Sequence, residues 1–338
     1  MLPANILASR RGRLTAFSLL YLSEGIPFGF SATALATYLR QSGISIAEVG
    51  LFIASLYAPW GFKPLWAPVV DLVNLRRFGH YRAWIVFAQA MMILTLALVW
   101  AVDPGTNLKL LTLLIVVHNI FSATQDIAID ALAVNVLPEH ERGVANGFMF
   151  GASYLGQTLG GSGALFIAGR FGYGATYPYV CGLLALLLVG VSLRLSEPQR
   201  ALAAAAEAVT GRLAVLAAIG ARLRTYAVEL YRGFFRSGRG PLLGMVFAAV
   251  PNGALALGLA LGNTMQVDLG LSEEQIASLG VQSTVLAALG CVIGGWVSDR
   301  LGHRKMLALW YALTTLPTFW LSGQFTGASG MAGVTVQS

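Results

Sequence analysis

HNIFSATQDIAIDALAVNVLPEHERG, residues 118–143, is a largely apolar run long enough to cross a bilayer, yet it carries two carboxylates, Asp126 and Asp130. Residues four apart stack on one helical face, so His118, Ser122, Asp126 and Asp130 form a polar stripe flanked by Asn119 and Gln125, opposite a purely apolar face. An ionisable group in hydrocarbon costs about 2.5–3.5 kcal/mol even on lenient insertion scales, so the stripe is expected to face protein or a watery cavity.

The rest of the chain agrees with a membrane setting. Its 338 residues are 56% hydrophobic and only 11% charged, with a mean hydropathy of +0.69, which excludes an ordinary soluble domain. The net charge of +7 sits in loops between apolar runs and forms no aromatic-interleaved patch, so no nucleic-acid partner is expected. Cys181 and Cys291 lie within apolar runs and show neither disulfide nor metal-ligand spacing, and no metal or cofactor is expected. Arg10, Arg11 and Arg13 precede an apolar run containing Ala34-Leu35-Ala36, the outline of a cleavable leader. That run is too long for one and carries Glu24 and Pro27, so it reads as a retained span.

Windows of about 20 apolar residues predict helices near 14–39, 48–70, 83–102, 108–132, 144–168 and 175–194, and again near 241–262, 274–298 and 304–322. The reading is an all-α polytopic membrane protein of about nine spans. Residues 1–195 form a six-helix N-terminal bundle, 196–240 a cytoplasmic linker, and 241–338 a C-terminal bundle that stops after three helices. In the linker, Leu213, Leu216, Ile219, Leu223, Leu230 and Phe234 recur at helical spacing between arginines, which predicts an amphipathic helix on the membrane surface. Nearly all Lys and Arg fall before span 1 and after spans 2, 4, 6 and 8, which predicts a cytoplasmic N-terminus.

An internal repeat underlies the two bundles. Gly43-Ile44-Ser45 before the second span is echoed 227 residues later by Gly270-Leu271-Ser272. Asp71, with Gly79, His80 and Arg82 downstream, is echoed by Asp299, Gly302, His303 and Arg304. Both copies have the same orientation, so the repeat is parallel.

The segment Gly294-Gly295-Trp296-Val297-Ser298-Asp299-Arg300-Leu301-Gly302-His303-Arg304-Lys305 resembles the G-x-x-x-D-R-x-G-R-R/K loop of the major facilitator superfamily. Its glycines let helix ends approach, Asp299 can accept from a neighbouring helix end, and the cations mark the cytoplasmic side. Three further blocks look like the peptide and acetyl-coenzyme A transporter family, which includes AmpG-type muropeptide permeases: Phe62-Lys63-Pro64-Leu65-Trp66-Ala67-Pro68-Val69-Val70-Asp71, Phe121 to Asp130, and Leu137-Pro138-Glu139-His140-Glu141-Arg142-Gly143. The resemblance runs from about Tyr21 to Leu321. It implies a major facilitator fold and a secondary active transporter working by alternating access. Proton-coupled import of a polar metabolite such as an anhydromuropeptide is the leading expectation. Asn135 stands where muropeptide permeases tend to show an acid, and Gln125-Asp126-Ile127-Ala128 is equally like the acetyl-coenzyme A branch, so an acyl- or acetyl-coenzyme A transporter stays open. A twelve-helix relative would continue through three more helices after Gly323.

Individual residues acquire expected roles on this plan. Glu24, about ten residues and roughly 15 Å into span 1, is the first candidate for proton coupling, with Asp126 and His118 beside it. Lys63 and Asp126 lie at similar depth and are expected to pair, with Asp130 nearby, as structure or as a gate. Ser122, Gln125, Asn146, Tyr154, Gln157 and Asn252 are expected to line the substrate cavity. Gly143, Gly147 and Gly151 are expected to serve close packing. Asp71, Arg82, Asp299, Arg300, Gly302 and Arg304 make up the cytoplasmic loop motif. The partners are then a small solute, protons and the lipid bilayer, and the location a bacterial inner membrane; the oligomeric state is open. Two other classes compete. One is a membrane sensor that binds without transporting. The other is a magnesium-dependent transferase using the spaced aspartates, for which no second acidic segment is found at matching depth.

Overall fold

The computed structural model describes residues 5–73, 79–197, 212–236 and 270–301, with isolated positions at 238, 240, 243, 266–268 and between 305 and 316. Among the described residues the regular structure is helical throughout. Helix α1 (Arg10–Gly29) passes through a wide π turn, Phe30–Leu35, into α2 (Ala36–Gln41). Then come α3 (Ile46–Leu72), α4 (His80–Trp100) and α5 (Pro104–Val136). Helix α6 (Arg142–Thr158) runs through a second π turn, Leu159–Gly163, into α7 (Ala164–Phe171), and α8 (Thr176–Gly190) follows. The linker contributes α9 (Arg212–Phe235), and α10 spans Glu273–Leu301. The expected spans at 14–39 through 175–194 and at 274–298 thus appear as α1–α2, α3, α4, α5, α6–α7, α8 and α10. The span at 241–262, with Asn252, and most of that at 304–322 lie outside the described residues. So do the side chains of Asp299 and Arg300, and residues Gly302 and Arg304.

Local chemistry sets the ends of these helices. Ser45 and Glu48 form a reciprocal capping box at the start of α3, satisfying donors that the first turn leaves open. Asn107 breaks the helical path (φ −146°, ψ 57°), and its Oδ1 accepts from the Leu110 N–H at 3.2 Å, restarting α5 with a fresh cap. At α4 the cap comes from far along the chain. The N-cap is Gly79 at φ 81°, a conformation that favours glycine, and the Glu197 carboxylate accepts from the backbone N–H groups of His80, Tyr81 and Arg82. Arg82 in turn donates to the Leu193 carbonyl at 2.7 Å, so two loops are tied to one helix end. Among the described residues, three segments, His80–Trp100, Asn107–Val136 and Tyr173–Arg194, are long and apolar enough to cross a membrane by length and composition. Helix α3 carries prolines at 59, 64 and 68, each of which removes a backbone donor.

The chain divides into two compact units, Met1–Leu289 and Gly290–Ser338. In the second, a Cβ on Gly294 would lie 3.5 Å from the Trp310 ring. In the first, α1 packs along α6, α5 against α3 and α4, and α8 against α4. The α1–α6 seam is backbone on backbone. A Cβ added to Gly25 would fall 2.0 Å from the Ser153 carbonyl oxygen, and one on Gly160 would fall 1.7 Å from that of Ile26. Lipid tails are as apolar as leucine, so this contact is held by dispersion between surfaces that only small residues bring together. Of the glycines expected to serve this purpose, Gly147 faces open space, whereas Gly151 is buried. A four-residue step between glycines does not say which face meets a neighbour, and here that face lies further along, at Gly156 and Gly160.

Two apolar clusters fill the first unit, one around Phe30, Leu39, Phe52, Leu96 and Val180, the other around Phe17, Leu20, Ile85, Ile129 and Met149. Ser23, Glu24, Ser122, Gln125 and Asp126 are buried on α1 and α5, at helix positions between those clusters.

Two tests follow from this packing and capping. Gly160→Ala should lose about 1–3 kcal/mol by overpacking against Ile26, while Gly147→Ala stays within about 0.5 kcal/mol of the parent; thermal unfolding in detergent measures both. Burial lifts the Glu197 carboxyl above the ordinary glutamate range, outweighing the backbone donors and Arg82 that pull it down. A carboxyl raised on folding makes the folded state bind the proton more tightly, so its contribution is complete at acidic pH and lost as pH rises through the raised value. Melting temperatures followed from the ordinary glutamate range toward neutrality should therefore fall more in the parent than in Glu197→Gln.

Candidate functional site

Two helices, α1 and α5, bring three carboxyl groups to one cavity of about 460 Å³, a size suited to a small-molecule ligand. Its wall is Tyr21, Glu24 and Phe28 from α1, Tyr57, Trp60 and Lys63 from α3, Asp126 and Asp130 from α5, and Phe150, Ser153 and Gln157 from α6. The close α1–α6 seam puts Glu24 and Ser153 on one continuous wall, because Gly25 touches the Ser153 backbone.

Charge is distributed unevenly around this wall. The Lys63 ammonium pairs with the Asp126 carboxylate and also stands 4.4 Å from the centroid of the Trp60 ring, where the ring face attracts a cation. Asp130 accepts a 2.6 Å hydrogen bond from the Tyr21 hydroxyl. The guanidinium of Arg142 is used on carbonyls at the end of α5 and just beyond it, at 3.2 Å from Val134 and 3.4 Å from Leu137. Glu24 is only 4% exposed. Its Oε1 has no hydrogen-bond partner among the described residues, and neither does Trp60 Nε1. Buried polar atoms without partners are scarce in folded proteins and tend to mark functional sites. Among the described lining residues, three carboxyls face one ammonium, so a neutral cavity needs protons or a cationic ligand group.

Aromatic rings complete the enclosure. Tyr21 meets Phe150 edge-on at 5.7 Å and Phe28 meets Tyr57 at the same separation. None of these rings was singled out from sequence, because an aromatic residue in an apolar helix looks the same whether it faces lipid or a cavity.

The other expected site residues are distributed differently. Gln157 lines the cavity, and Asn146 lines a smaller adjoining hollow that shares Tyr21, Asp130 and Phe150. Tyr154 is half-buried beside the cavity and is not among its lining residues. Ser122 and Gln125 are buried behind the wall, where Gln125 Nε2 donates to Ser23 Oγ at 3.0 Å. His118 lies in the α4–α5 contact, its Nδ1 2.9 Å from Thr95 Oγ1 and 3.1 Å from the Met92 carbonyl. A four-residue step overshoots a turn by about 40°, so three steps from His118 to Asp130 rotate the stripe by about 120°. One end of the stripe therefore faces α4 and the other faces the cavity. In the loop motif, Asp71 accepts from the Tyr81 hydroxyl at 3.5 Å. Glu141 in the Leu137–Gly143 block holds Arg13 through bonds of 2.8 and 3.0 Å, clamping the start of α1 to the start of α6. Asp126 and Asp130 engage different partners, Lys63 and Tyr21.

The model of the Major Facilitator Superfamily matches residues 17–336. A putative transporter AmpG 4 of Rickettsia conorii is 24% identical over 321 residues, covering 92% of this chain and 74% of the relative. The anhydromuropeptide permease of Escherichia coli K12 is 29% identical over 178 residues, 52% of this chain and 36% of the permease. An uncharacterised protein of Haemophilus influenzae is 26% identical over 297 residues, 85% of this chain and 64% of that protein.

The Lys63–Asp126 pair is testable as a unit. Lys63→Met and Asp126→Asn each leave one polar partner stranded, so the double substitution should lower thermal stability by less than the sum of the two single losses. The expected coupling is about 0.5–3 kcal/mol in a double-mutant cycle.

Proposed function

The chain belongs to the Major Facilitator Superfamily, and from that premise we propose that it is a proton-coupled importer of a muropeptide-like solute. It is an integral membrane transporter, not an enzyme. Its site is the cavity between α1, α3, α5 and α6, and it works by alternating access in a bacterial inner membrane. The bias of Lys and Arg toward one end of the helices supports a cytoplasmic N-terminus.

The observation that carries this reading is the excess of carboxyls over cations on a wall that is otherwise aromatic. A proton delivered to Asp126 cancels its charge and frees Lys63 to meet a carboxylate of the solute. Loss of that proton restores the pair and expels the solute's anionic group. Glu24, buried and with one oxygen unpartnered, is placed to hold a second proton or a cationic group of the ligand. The rings of Phe28, Tyr57 and Trp60 offer flat apolar faces on which the C–H faces of sugars can pack. Names of relatives point the same way, since one is an anhydromuropeptide permease and another an AmpG transporter. An acyl-coenzyme A fits the described wall less well, because its phosphates call for several cations where this wall supplies Lys63.

Uptake of a labelled anhydromuropeptide into vesicles under an imposed proton gradient tests the proposal. The parent chain should accumulate label. Glu24→Gln and Asp126→Asn should each reduce gradient-driven uptake by at least about tenfold, a barrier change of roughly 1.4 kcal/mol, while both still insert. Uptake by the parent that ignores the proton gradient would overturn the coupling, and absence of uptake would overturn the choice of solute.

A further inference from the structure

The two copies of the internal repeat meet within the first unit. In each copy a helical segment ends on a glycine of positive φ, Gly43 at 85° and Gly270 at 78°, and the serine two residues on starts the next helix with a reciprocal cap. Ser45 caps with Glu48, and Ser272 caps with Gln275 at 2.9 and 3.3 Å. The backbone bonds repeat in register. Gly43 N–H donates to Arg40 O and Ile44 N–H to Leu39 O; Gly270 N–H donates to Val267 O and Leu271 N–H to Gln266 O. The backbone turn is duplicated, but its side chains are not: Arg40 and Gln41 in one copy correspond to Val267 and Asp268 in the other.

That asymmetry is what joins them. Arg40 Nε donates to Asp268 Oδ1 at 2.8 Å, and its terminal nitrogen lies 2.6 Å from the same oxygen. A further bond of 3.3 Å to the Ile44 carbonyl holds the guanidinium against its own turn, and the position in the last turn of α2 favours a cation. Beside it Gln41 hydrogen-bonds Glu273. Beneath the pair, Ile276 and Ala277 are buried in the same apolar cluster as Phe30, Leu35 and Leu39, and Gly280 lies against Ser162. The contact is about 24 Å along the helices from Glu24, with that cluster between them.

We infer that the Arg40–Asp268 pair, assisted by Gln41 and Glu273, is a latch that closes the cavity toward the end of the bundle where α2 turns into α3. The inference rests on the transport reading above and adds to it the residues that must part when the cavity opens to that side. Their exposure suits the task. Side chains of the latch are 25% and 36% exposed, against 15% and 5% for Arg13–Glu141 at the opposite end of α1. A partly exposed ion pair is weak enough to break in every cycle, whereas a buried bidentate pair is a fastening.

The test reads access rather than transport. In a chain whose Cys181 and Cys291 are replaced by alanine, Ser153→Cys reports on the cavity. The probe is a membrane-impermeant maleimide applied to sealed vesicles from the face that carries Arg40. Arg40→Ala and Asp268→Ala should each raise labelling about two- to fivefold, the worth of a partly exposed pair. The double substitution should do no more than either alone, and the exchange Arg40→Asp with Asp268→Arg should return labelling toward the parent, which also shows that the variants fold. Unchanged labelling in both single variants, or additive effects in the double, would overturn the latch. Because no solute enters this assay, failure of muropeptide uptake alongside latch-dependent labelling discards the substrate and leaves the latch standing.

Discussion

Placing carboxyl groups within a membrane-embedded bundle is the constraint to which the first unit answers. Glu24 and Asp126 are buried while Asp130 is exposed, so the first two above all must find a cation, a hydroxyl donor or a proton. Asp126 has Lys63, Asp130 has Tyr21, and Glu24 keeps an unpartnered oxygen. The paired groups can be read as structure; the unsatisfied one departs from the rule that buried polar atoms are bonded. A site made this way stores its instability in a few groups whose partners can change, while the apolar clusters around Phe30 and Phe17 supply the packing.

Positioning these groups is largely the work of α1 and α6. Their backbones approach so closely at Gly25, Gly29, Gly156 and Gly160 that no side chain separates them. Both helices also widen into π turns, Phe30–Leu35 and Leu159–Gly163, that pack against each other. Such turns are frequent at functional sites, and these begin six residues beyond Glu24 and two beyond Gln157. Clamps at the ends complete the frame: Glu141 on Arg13 at one helix start, and Glu197 on the first amides of α4.

Much of this was legible in the chain. Apolar length placed the helices, the cost of burying charge singled out Glu24, Lys63, Asp126 and Asp130, and the Gly-x-Ser spacing exposed the repeat whose turns later proved identical in hydrogen bonding. What stayed hidden shares a physical character. The aromatic wall was hidden because aromatic residues are at home in lipid as well as in a cavity. His118 faces α4 and not the cavity, because a stripe of fourth residues winds around a helix of 3.6 residues per turn. The Glu197 cap, the α1–α6 glycine register and the Arg40–Asp268 contact depend on which distant segments meet, and no local pattern carries that information.

Stiffness is also unequally shared among the helices that hold the cavity. Glycine-to-backbone contact makes α1 and α6 behave as one keel, since sliding either by a fraction of an ångström drives carbonyl oxygens into Cα atoms. Helix α3 has the opposite character. Prolines 59, 64 and 68 deprive the carbonyls of Ser55, Trp60 and Pro64 of their usual helical donors, leaving a compliant stretch with Lys63 in its middle. Of the two partners in the ion pair, the lysine is therefore carried by the helix that lacks three backbone bonds, and the aspartate by α5, which has no proline beyond its first residue.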